Sequence, residues 1–179
     1  MGEGVFVTGT DTGIGKTTYC RALLQRDPGA TYWKPVQTGW PEEDDTVAVG
    51  AARVLPGIRL RDPVSPHLAA QREDRRLTLE SILAPLRGFS GRLVVEGAGG
   101  LLVPLAPDLL QSDLARALAL PVVVVARDRL GTINHTLLTL EALRRRGLRV
   151  LRVALLGGAR NREAIETYGK VEVEVRPWT

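Results

Sequence analysis

The residues best suited to chemistry near the start of the chain form a glycine-rich stretch with a lysine and several threonines. It reads GTDTGIGKTT over residues 9–18 and follows the apolar run Val5–Val7. Glycines let backbone N–H groups converge, a helix start adds partial positive charge, the lysine neutralises phosphate oxygens, and the next hydroxyl can ligate Mg²⁺. The spacing departs from G-x-x-x-x-G-K-[ST], because position 10 is Thr10 and the available glycine is Gly9. We predict a phosphate-binding loop one residue longer than that form.

A second lysine, Lys34, follows a predicted short strand at Thr31–Trp33. Lysine is scarce in this chain, with three among 24 basic residues. Ligands of open parallel sheets bind beyond the carboxyl ends of the strands, so this position favours a lysine that faces the same crevice as the loop. The alternative is a surface lysine whose stem covers apolar neighbours.

Two acidic positions could serve a metal ion. Glu96 follows the apolar residues Leu93–Val95 and precedes a run of glycines, which is how phosphate-loop proteins place a carboxylate near Mg²⁺. The alternative is a strand-end acid that accepts nearby backbone N–H groups. Glu42–Asp45 precedes a helical pattern, where four acids usually form a solvated helix start, although a metal site would need only one of them.

The elements that must position these residues alternate between strand and helix patterns. Strands are predicted at 4–8, 31–33, 92–96, 122–126, 150–156 and 171–175, and helices at 17–25, 46–54, 77–86, 112–120, from about 132 to 146, and at 162–168. Crossovers of this length imply right-handed βαβ units. We therefore expect an α/β fold, a single domain over residues 1–179 with a doubly wound, mostly parallel sheet and helices on both faces.

Composition excludes several classes. The net charge is +4, but the basic residues are scattered and aromatics are sparse at 4%, so we expect an anionic small substrate and no nucleic acid. The lone cysteine, Cys20, allows no intrachain disulfide and fits a buried helix face. Neither a leader pattern nor an apolar run of about 20 residues is seen, so we expect no membrane association and a cytoplasmic location.

Five blocks together resemble the dethiobiotin synthetases, a family of the phosphate-loop NTPases. They match in family order from residue 5 to about residue 138, and the chain past residue 150 matches weakly. The blocks are GTDTGIGKTT at 9–18, KPVQTG at 34–39, SPH at 65–67, EGAGGL with PL at 96–105, and LGTINH at 130–135. The longer loop is the form that this family uses.

The resemblance implies an ATP-dependent cyclo-ligase that converts 7,8-diaminopelargonate, CO2 and MgATP into dethiobiotin, ADP and phosphate. It implies a homodimer with shared sites, because in the family the helix that begins at Thr132 comes from the partner subunit. By motif, Lys16 and Lys34 would be catalytic. The nucleotide would be bound by Thr12, Gly13, Ile14, Gly15, Lys16, Thr17, Thr18, Pro177 and Trp178. The substrate would be bound by Thr12, Lys34, Thr38, Gly99, Gly100, Thr132, Ile133 and Asn134, and Mg²⁺ by Thr17, Asp45 and Glu96, with Asp44 as the alternative to Asp45.

One departure from the family falls where adenine should bind. Family members commonly carry an asparagine just after the strand at 150–156, whereas this chain has Gly157-Gly158. Discrimination between ATP and other nucleoside triphosphates is therefore open. The main rival is a partition-type or regulatory ATPase switch. Such proteins usually carry an extra lysine near positions 10 and 11, where this chain has Thr10 and Asp11.

Overall fold

A parallel sheet of seven strands forms the centre of the computed structural model, which describes residues 3–178. Its strands are β1 (Gly4–Gly9), β2 (Thr31–Trp33), β4 (Val54–Leu55), β6 (Leu93–Gly100), β9 (Val122–Arg127), β10 (Val150–Leu156) and β11 (Val173–Arg176). The spatial order is β11-β10-β9-β1-β6-β2-β4, and every pairing is parallel. Two small ribbons lie outside it, β3 (Val36–Gln37) with β5 (Ile58–Arg59), and β7 (Pro104–Ala106) with β8 (Leu109–Leu110).

Helices cover both faces of the sheet. They are α1 (Lys16–Arg26), α2 (Asp45–Val49), α3 (Pro66–Arg72), α4 (Leu79–Leu83), α5 (Gln111–Leu118), α6 (Thr132–Arg145) and α7 (Arg162–Gly169), with a 3-10 turn at Ala84–Leu86. Alternate residues of the central strands pack on opposite faces, so the core divides into two apolar clusters. Phe6 and Val124 belong to the larger cluster, and Val7 and Val125 to the smaller one beneath α1. The predicted doubly wound α/β fold is confirmed.

Two predicted helices need correction. The helix expected at 46–54 ends at Val49, because Gly50 adopts a left-handed conformation with φ of 64° and closes it. The chain then enters β4, where Val54 pairs with Tyr32 at the edge of the sheet. The helix expected at 77–86 is α4 followed by the 3-10 turn, since Pro85 cannot donate the backbone hydrogen bond that would continue it.

Two other predicted segments have different bounds in the structure. The strand expected to stop at Glu96 runs on to Gly100, where it pairs with Gly9 of β1. The segment expected as loop over 59–66 contains the end of β5 and the start of α3.

Among residues 3–178, no helix is both long enough and apolar enough to span a lipid bilayer.

Candidate functional site

A crevice of about 690 Å³ opens at the carboxyl ends of β1, β2 and β6. This is where open parallel sheets place their ligands, since loops after adjacent strands meet there. Most of the predicted site residues line it: Thr12, Gly13, Gly15, Lys16, Thr17, Thr18, Lys34, Thr38, Asp45, Glu96, Gly99 and Trp178. The crevice thus brings together side chains from β2, β6 and the glycine-rich loop.

The glycine-rich loop turns tightly between β1 and α1. A Cβ at residue 9 would lie 2.8 Å from the end of the Ile14 side chain and 3.0 Å from the Asp11 carbonyl oxygen, so Gly9 fits a crowded position. Gly15 has φ of 96° and immediately precedes α1 as its N-cap, and a Cβ on it would lie 2.5 Å from the Leu156 side chain. Ile14 is 2% exposed and packs into the core, so its predicted contact with a nucleotide could come only from its backbone.

Lys16 is the first residue of α1 and is buried. Its ammonium donates to the carbonyl of Asp11 across the loop at 3.2 Å. Burial lowers the pKa of Lys16, and the nearby charge of Lys34 lowers it further. A buried ammonium with a carbonyl as its partner is a suitable group to neutralise an incoming phosphate oxygen.

Lys34 lines the same crevice and contacts both acids of the predicted metal site. Its Nζ lies 2.5 Å from Oδ2 of Asp45 and 2.9 Å from Oε1 of Glu96. Burial alone would lower the pKa of Lys34, but the two carboxylates outweigh it and hold this pKa above the usual value. Lys34 therefore carries its positive charge in a site 6% exposed to solvent.

Thr17, Asp45 and Glu96 present their oxygens to one another. The Thr17 hydroxyl lies 3.0 Å from Oδ1 of Asp45 and 2.9 Å from Oε1 of Glu96. A hydroxyl with two carboxylates is a hard oxygen donor set of the kind that Mg²⁺ prefers. Within residues 3–178, no cluster of three or more His, Cys, Asp and Glu side chains has metal-binding geometry, so phosphate and water oxygens would have to complete any such coordination.

Asp44, the alternative metal ligand, is the N-cap residue of α2. Its carboxylate accepts from the backbone N–H of Thr46 at 2.9 Å and from the Thr46 hydroxyl at 2.5 Å, so it caps α2. These hydrogen bonds outweigh the effect of burial and lower the pKa of Asp44. The structure therefore turns Asp45, and not Asp44, toward Thr17.

Two buried residues that the sequence did not single out support this group. Tyr32 donates its hydroxyl to Oε2 of Glu96 at 2.9 Å. Gln37 donates to the carbonyl of Thr38 at 2.7 Å, and its side-chain oxygen lies 3.4 Å from the backbone nitrogen of Asp45. Gln37 falls inside the 34–39 block, which could have drawn attention to it, whereas Tyr32 lies in an apolar strand that gives no such signal.

Not every predicted site residue reaches the crevice. Thr132, Ile133 and Asn134 start α6 as expected, but they do not line it. Gly100 lines a neighbouring groove of about 560 Å³ with His135 and Leu138. Pro177 is exposed, and Trp178 packs beside Gly15, where a Cβ on the glycine would lie 3.0 Å from its ring.

Two glycines follow β10, and Gly157 lies beside Trp178, which lines the crevice. Gly157 has φ of 91°, and a Cβ on Gly158 would lie 2.5 Å from the Asp128 carboxylate. That carboxylate accepts from the backbone N–H of Arg160 at 2.8 Å and from the side-chain amide of Asn161 at 2.5 Å. The close approach of Asp128 explains why residue 158 is a glycine.

Comparison with curated proteins decides the family. The ATP-dependent dethiobiotin synthetase BioD of Paramagnetospirillum magneticum is 50% identical over 184 residues, which cover 98% of this chain and 88% of that protein. The enzyme of the same name from Bradyrhizobium diazoefficiens is 43% identical and covers 99% of this chain and 88% of its own length. This chain belongs to the dethiobiotin synthetase family. A family model described as an AAA domain also matches residues 3–174.

The dethiobiotin synthetase family shares its fold with ATPases of other functions. A ParA family ATPase from Chlorobium tepidum superposes with a TM-score of 0.59 at 11% identity, covering 98% of this chain and 85% of that one. The MinC:MinD cell division complex of Aquifex aeolicus gives a TM-score of 0.56 at 12% identity, covering 98% and 81% of the chains. At these identities the likeness shows the phosphate-loop fold alone, so it does not support the rival reading as a partition-type switch.

Proposed function

We propose that this chain is an ATP-dependent cyclo-ligase that forms dethiobiotin from 7,8-diaminopelargonate and CO2. The observation that carries the proposal is the pair of buried lysines, Lys16 and Lys34, which line one crevice with the phosphate-binding loop. The reaction creates negative charge on a carbamate and on a transferred phosphoryl group. Two desolvated ammonium groups that line the same crevice suit both charges.

The chemistry needs three steps. One amine of the substrate adds to CO2 and loses a proton, which gives a carbamate. A carbamate oxygen attacks the γ-phosphorus of ATP and ADP leaves, which gives a mixed carbamic-phosphoric anhydride. The second amine then attacks the carbamate carbon, the urea ring closes and phosphate leaves. Positioning and charge stabilisation dominate such a reaction, so little covalent help from the protein is needed.

The lysines divide this work by position. Lys16, at the start of α1, stabilises charge on the β- and γ-phosphate oxygens and on the attacking carbamate. Lys34 stabilises the carbamate and its phosphorylated form from the other side of the crevice. The remaining predicted substrate contacts within one chain are Thr12 and Thr38, together with the backbone of Gly99 and Gly100.

The metal ion that accompanies ATP fits the oxygens of Thr17, Asp45 and Glu96. The Lys34 ammonium contacts both carboxylates, which supports the proposal that this group can hold a positive charge. Mg²⁺ would supply further neutralisation of the phosphate oxygens during transfer. The nucleotide would lie along Gly13–Thr18, with its base toward Pro177 and Trp178.

The tail of the substrate would be bound by a second copy of the chain. Thr132, Ile133 and Asn134 begin α6. The Thr132 N–H already donates to the Arg129 carbonyl at 3.2 Å, so the backbone N–H groups of Ile133 and Asn134 are the ones that would donate to the carboxylate of the tail. Apolar side chains are exposed on the same side, with Leu102 at 47%, Leu130 at 103% and Leu138 at 56% exposure. Such a patch supports a homodimer with shared sites. The cytoplasmic location stays a prediction from the sequence.

A reconstitution experiment tests the function. Phosphate release from MgATP should require both 7,8-diaminopelargonate and bicarbonate, and dethiobiotin should form in a ratio of about one to one with phosphate, as the three steps dictate. Omission of either substrate is the matched control. Hydrolysis that proceeds without them, or that DNA or a partner protein stimulates, would favour a switch and overturn the proposal.

A further inference from the structure

The two oxygens of the Glu96 carboxylate have different partners. Oε1 faces the crevice, with the Thr17 hydroxyl and the Lys34 ammonium both at 2.9 Å. Oε2 points the other way and accepts the Tyr32 hydroxyl at 2.9 Å. Glu96 is 1% exposed, so these contacts with protein groups hold the orientation of its carboxylate in the crevice.

Tyr32 is well placed to fix that orientation. It is the middle residue of β2, which pairs with β6, and its Cα lies opposite Val94, two residues before Glu96. The side chain is completely buried and packs in the apolar cluster beneath α1. A rigid aromatic ring on a central strand can hold a hydroxyl at one position with little conformational freedom.

A second tyrosine in the same apolar cluster makes a bond of the same kind away from the crevice. Tyr19 of α1 is 2% exposed, and its hydroxyl donates to Oε2 of Glu174 at 2.9 Å. Glu174 also contacts arginines, including Arg176 at 2.7 Å. The chain therefore offers two tyrosine-carboxylate bonds of equal length, a buried one at Glu96 and a partly buried one at Glu174, and the first involves a residue of the proposed metal site.

We propose that Tyr32 is a positioning residue that sets the metal preference of the site. Its hydroxyl engages Oε2 of Glu96 and leaves Oε1 as the one oxygen of this carboxylate that is available beside Thr17. This inference rests on the proposed function, because it takes Glu96 to be a metal ligand. It goes beyond that function by assigning the choice of ion to a residue that does not touch the ion.

The preference follows from the coordination chemistry of the two common divalent ions. Mg²⁺ demands near-octahedral geometry with short bonds, which single oxygens provide. Ca²⁺ accepts six to eight oxygens and readily takes both oxygens of one carboxylate. A hydrogen bond that holds one oxygen of Glu96 away therefore favours the smaller ion. Residues that orient a metal ligand in this way are typically worth about 10-fold to 100-fold in metal affinity.

The test compares Tyr32→Phe with its matched control, Tyr19→Phe. The affinity of each protein for a non-hydrolysable imido analogue of ATP is titrated by calorimetry in saturating Mg²⁺ and again in saturating Ca²⁺. Each variant keeps its aromatic ring and removes the hydroxyl partner of one carboxylate oxygen, a buried one in Glu96 and a partly buried one in Glu174. Both should therefore lose about 1–3 kcal/mol of unfolding free energy. The ratio of the two affinities removes any general loss of binding.

We expect Tyr32→Phe to weaken the Mg²⁺ complex about tenfold and to lower the ratio of Mg²⁺ to Ca²⁺ affinity, whereas Tyr19→Phe leaves the ratio within about twofold of the unaltered protein. Equal ratios in the two variants would overturn the inference. Glu96→Gln separates this failure from failure of the proposed function. If Glu96→Gln leaves the Mg²⁺ complex as tight as before, Glu96 is not a metal ligand and the proposed site itself is wrong.

Discussion

The part of the crevice proposed to hold the phosphates, here the phosphate side, and the part proposed to hold the base, here the base side, consist of different kinds of residue. On the phosphate side, the side chains of Lys16, Lys34 and Glu96 are buried. The Lys34 ammonium contacts the carboxylates of Asp45 and Glu96, and the Lys16 ammonium donates to a backbone carbonyl of the loop. On the base side, Trp178 lines the crevice and is 41% exposed, and the backbone of Gly157 lies beside it. The Asp128 carboxylate there is already engaged by Arg160 and Asn161.

This difference indicates where nucleotide binding and catalysis gain their free energy. Buried charges interact strongly with phosphate oxygens because little solvent screens them. A ring and a pair of glycines can contact any base but provide no side-chain amide to read its edge. We expect the phosphate side to control turnover and the base side to contribute affinity with little selectivity.

The largest effect should come from Lys34→Ala. Loss of its ammonium removes charge stabilisation that develops in the transition state, so kcat should fall by about 10²-fold to 10³-fold. The affinity for MgATP should change by less than about tenfold, because other groups bind the phosphates. Steady-state kinetics and a nucleotide titration provide both numbers.

The control for this prediction is Lys170→Ala, since Lys170 is an exposed lysine that follows α7. It changes the net charge equally and should leave kcat unaltered. An unaltered rate in Lys34→Ala would remove Lys34 from the mechanism and make the two sides of the crevice equivalent.

A smaller effect is expected on the base side. Trp178→Ala should weaken binding of ATP, CTP and GTP alike by about 1–3 kcal/mol, since a ring stacks on every base. In the unaltered protein, the three nucleotides should support turnover within about tenfold of each other, because no polar group is left unpaired by the wrong base. Competition titrations with each nucleotide measure both quantities.

Trp178→Phe is the matched control, because it keeps an aromatic face and should restore part of the affinity. The ring is already covered by the Arg127 guanidinium, whose carbon lies 4.0 Å from its centroid. A strong preference for ATP over CTP and GTP would mean that another group reads adenine, and the contrast between the two sides would be wrong.

The last prediction concerns the contact that links the two sides, and its effect is on folding stability and not on turnover. Tyr19 on α1 donates to Glu174 on β11, the strand that leads to Trp178. Burial acts to raise the pKa of Glu174, but the Tyr19 hydroxyl and Arg176 outweigh it and lower this pKa below its usual value. The folded state thus favours the charged carboxylate. Its stabilisation is present at neutral pH and disappears as the pH falls through the folded pKa.

Glu174→Gln should therefore lower the unfolding free energy by about 1–3 kcal/mol at neutral pH. The difference from the unaltered protein should shrink toward acid pH, where both side chains are neutral. Urea unfolding at several pH values measures this difference. A difference that does not vary with pH would show that the charge of Glu174 contributes nothing to the link.

The sequence predicted the phosphate side well because its residues are tied to glycines and strand ends. Gly9, Gly15 and the glycines after Glu96 fix the backbone, and parallel strands bring their carboxyl ends together. The doubly wound fold was predicted from the alternation of strand and helix patterns along the chain. Lys34 was expected to face the crevice of the loop from its place after β2, and it does line that crevice, where its ammonium also lies 2.9 Å from Oε1 of Glu96.

The sequence could not predict contacts that depend on packing. Tyr32 looked like an ordinary apolar strand residue, since nothing in the local sequence shows that its hydroxyl reaches Glu96 on the neighbouring strand β6. The choice between Asp44 and Asp45 depended on which one caps α2, a question of backbone geometry. Gly157-Gly158 read as a missing asparagine, whereas the structure shows that Asp128 leaves no room for a side chain at residue 158.

The central claim is that the crevice joins a carbamate oxygen to the γ-phosphate, and oxygen labelling tests it most directly. A single turnover is run with ¹⁸O-labelled bicarbonate, 7,8-diaminopelargonate and MgATP, and the phosphate is analysed by mass spectrometry. The account predicts one ¹⁸O atom in each phosphate released, transferred from the carbamate. Phosphate without ¹⁸O, whose fourth oxygen came from solvent, would mean that water attacks ATP, and would contradict the account.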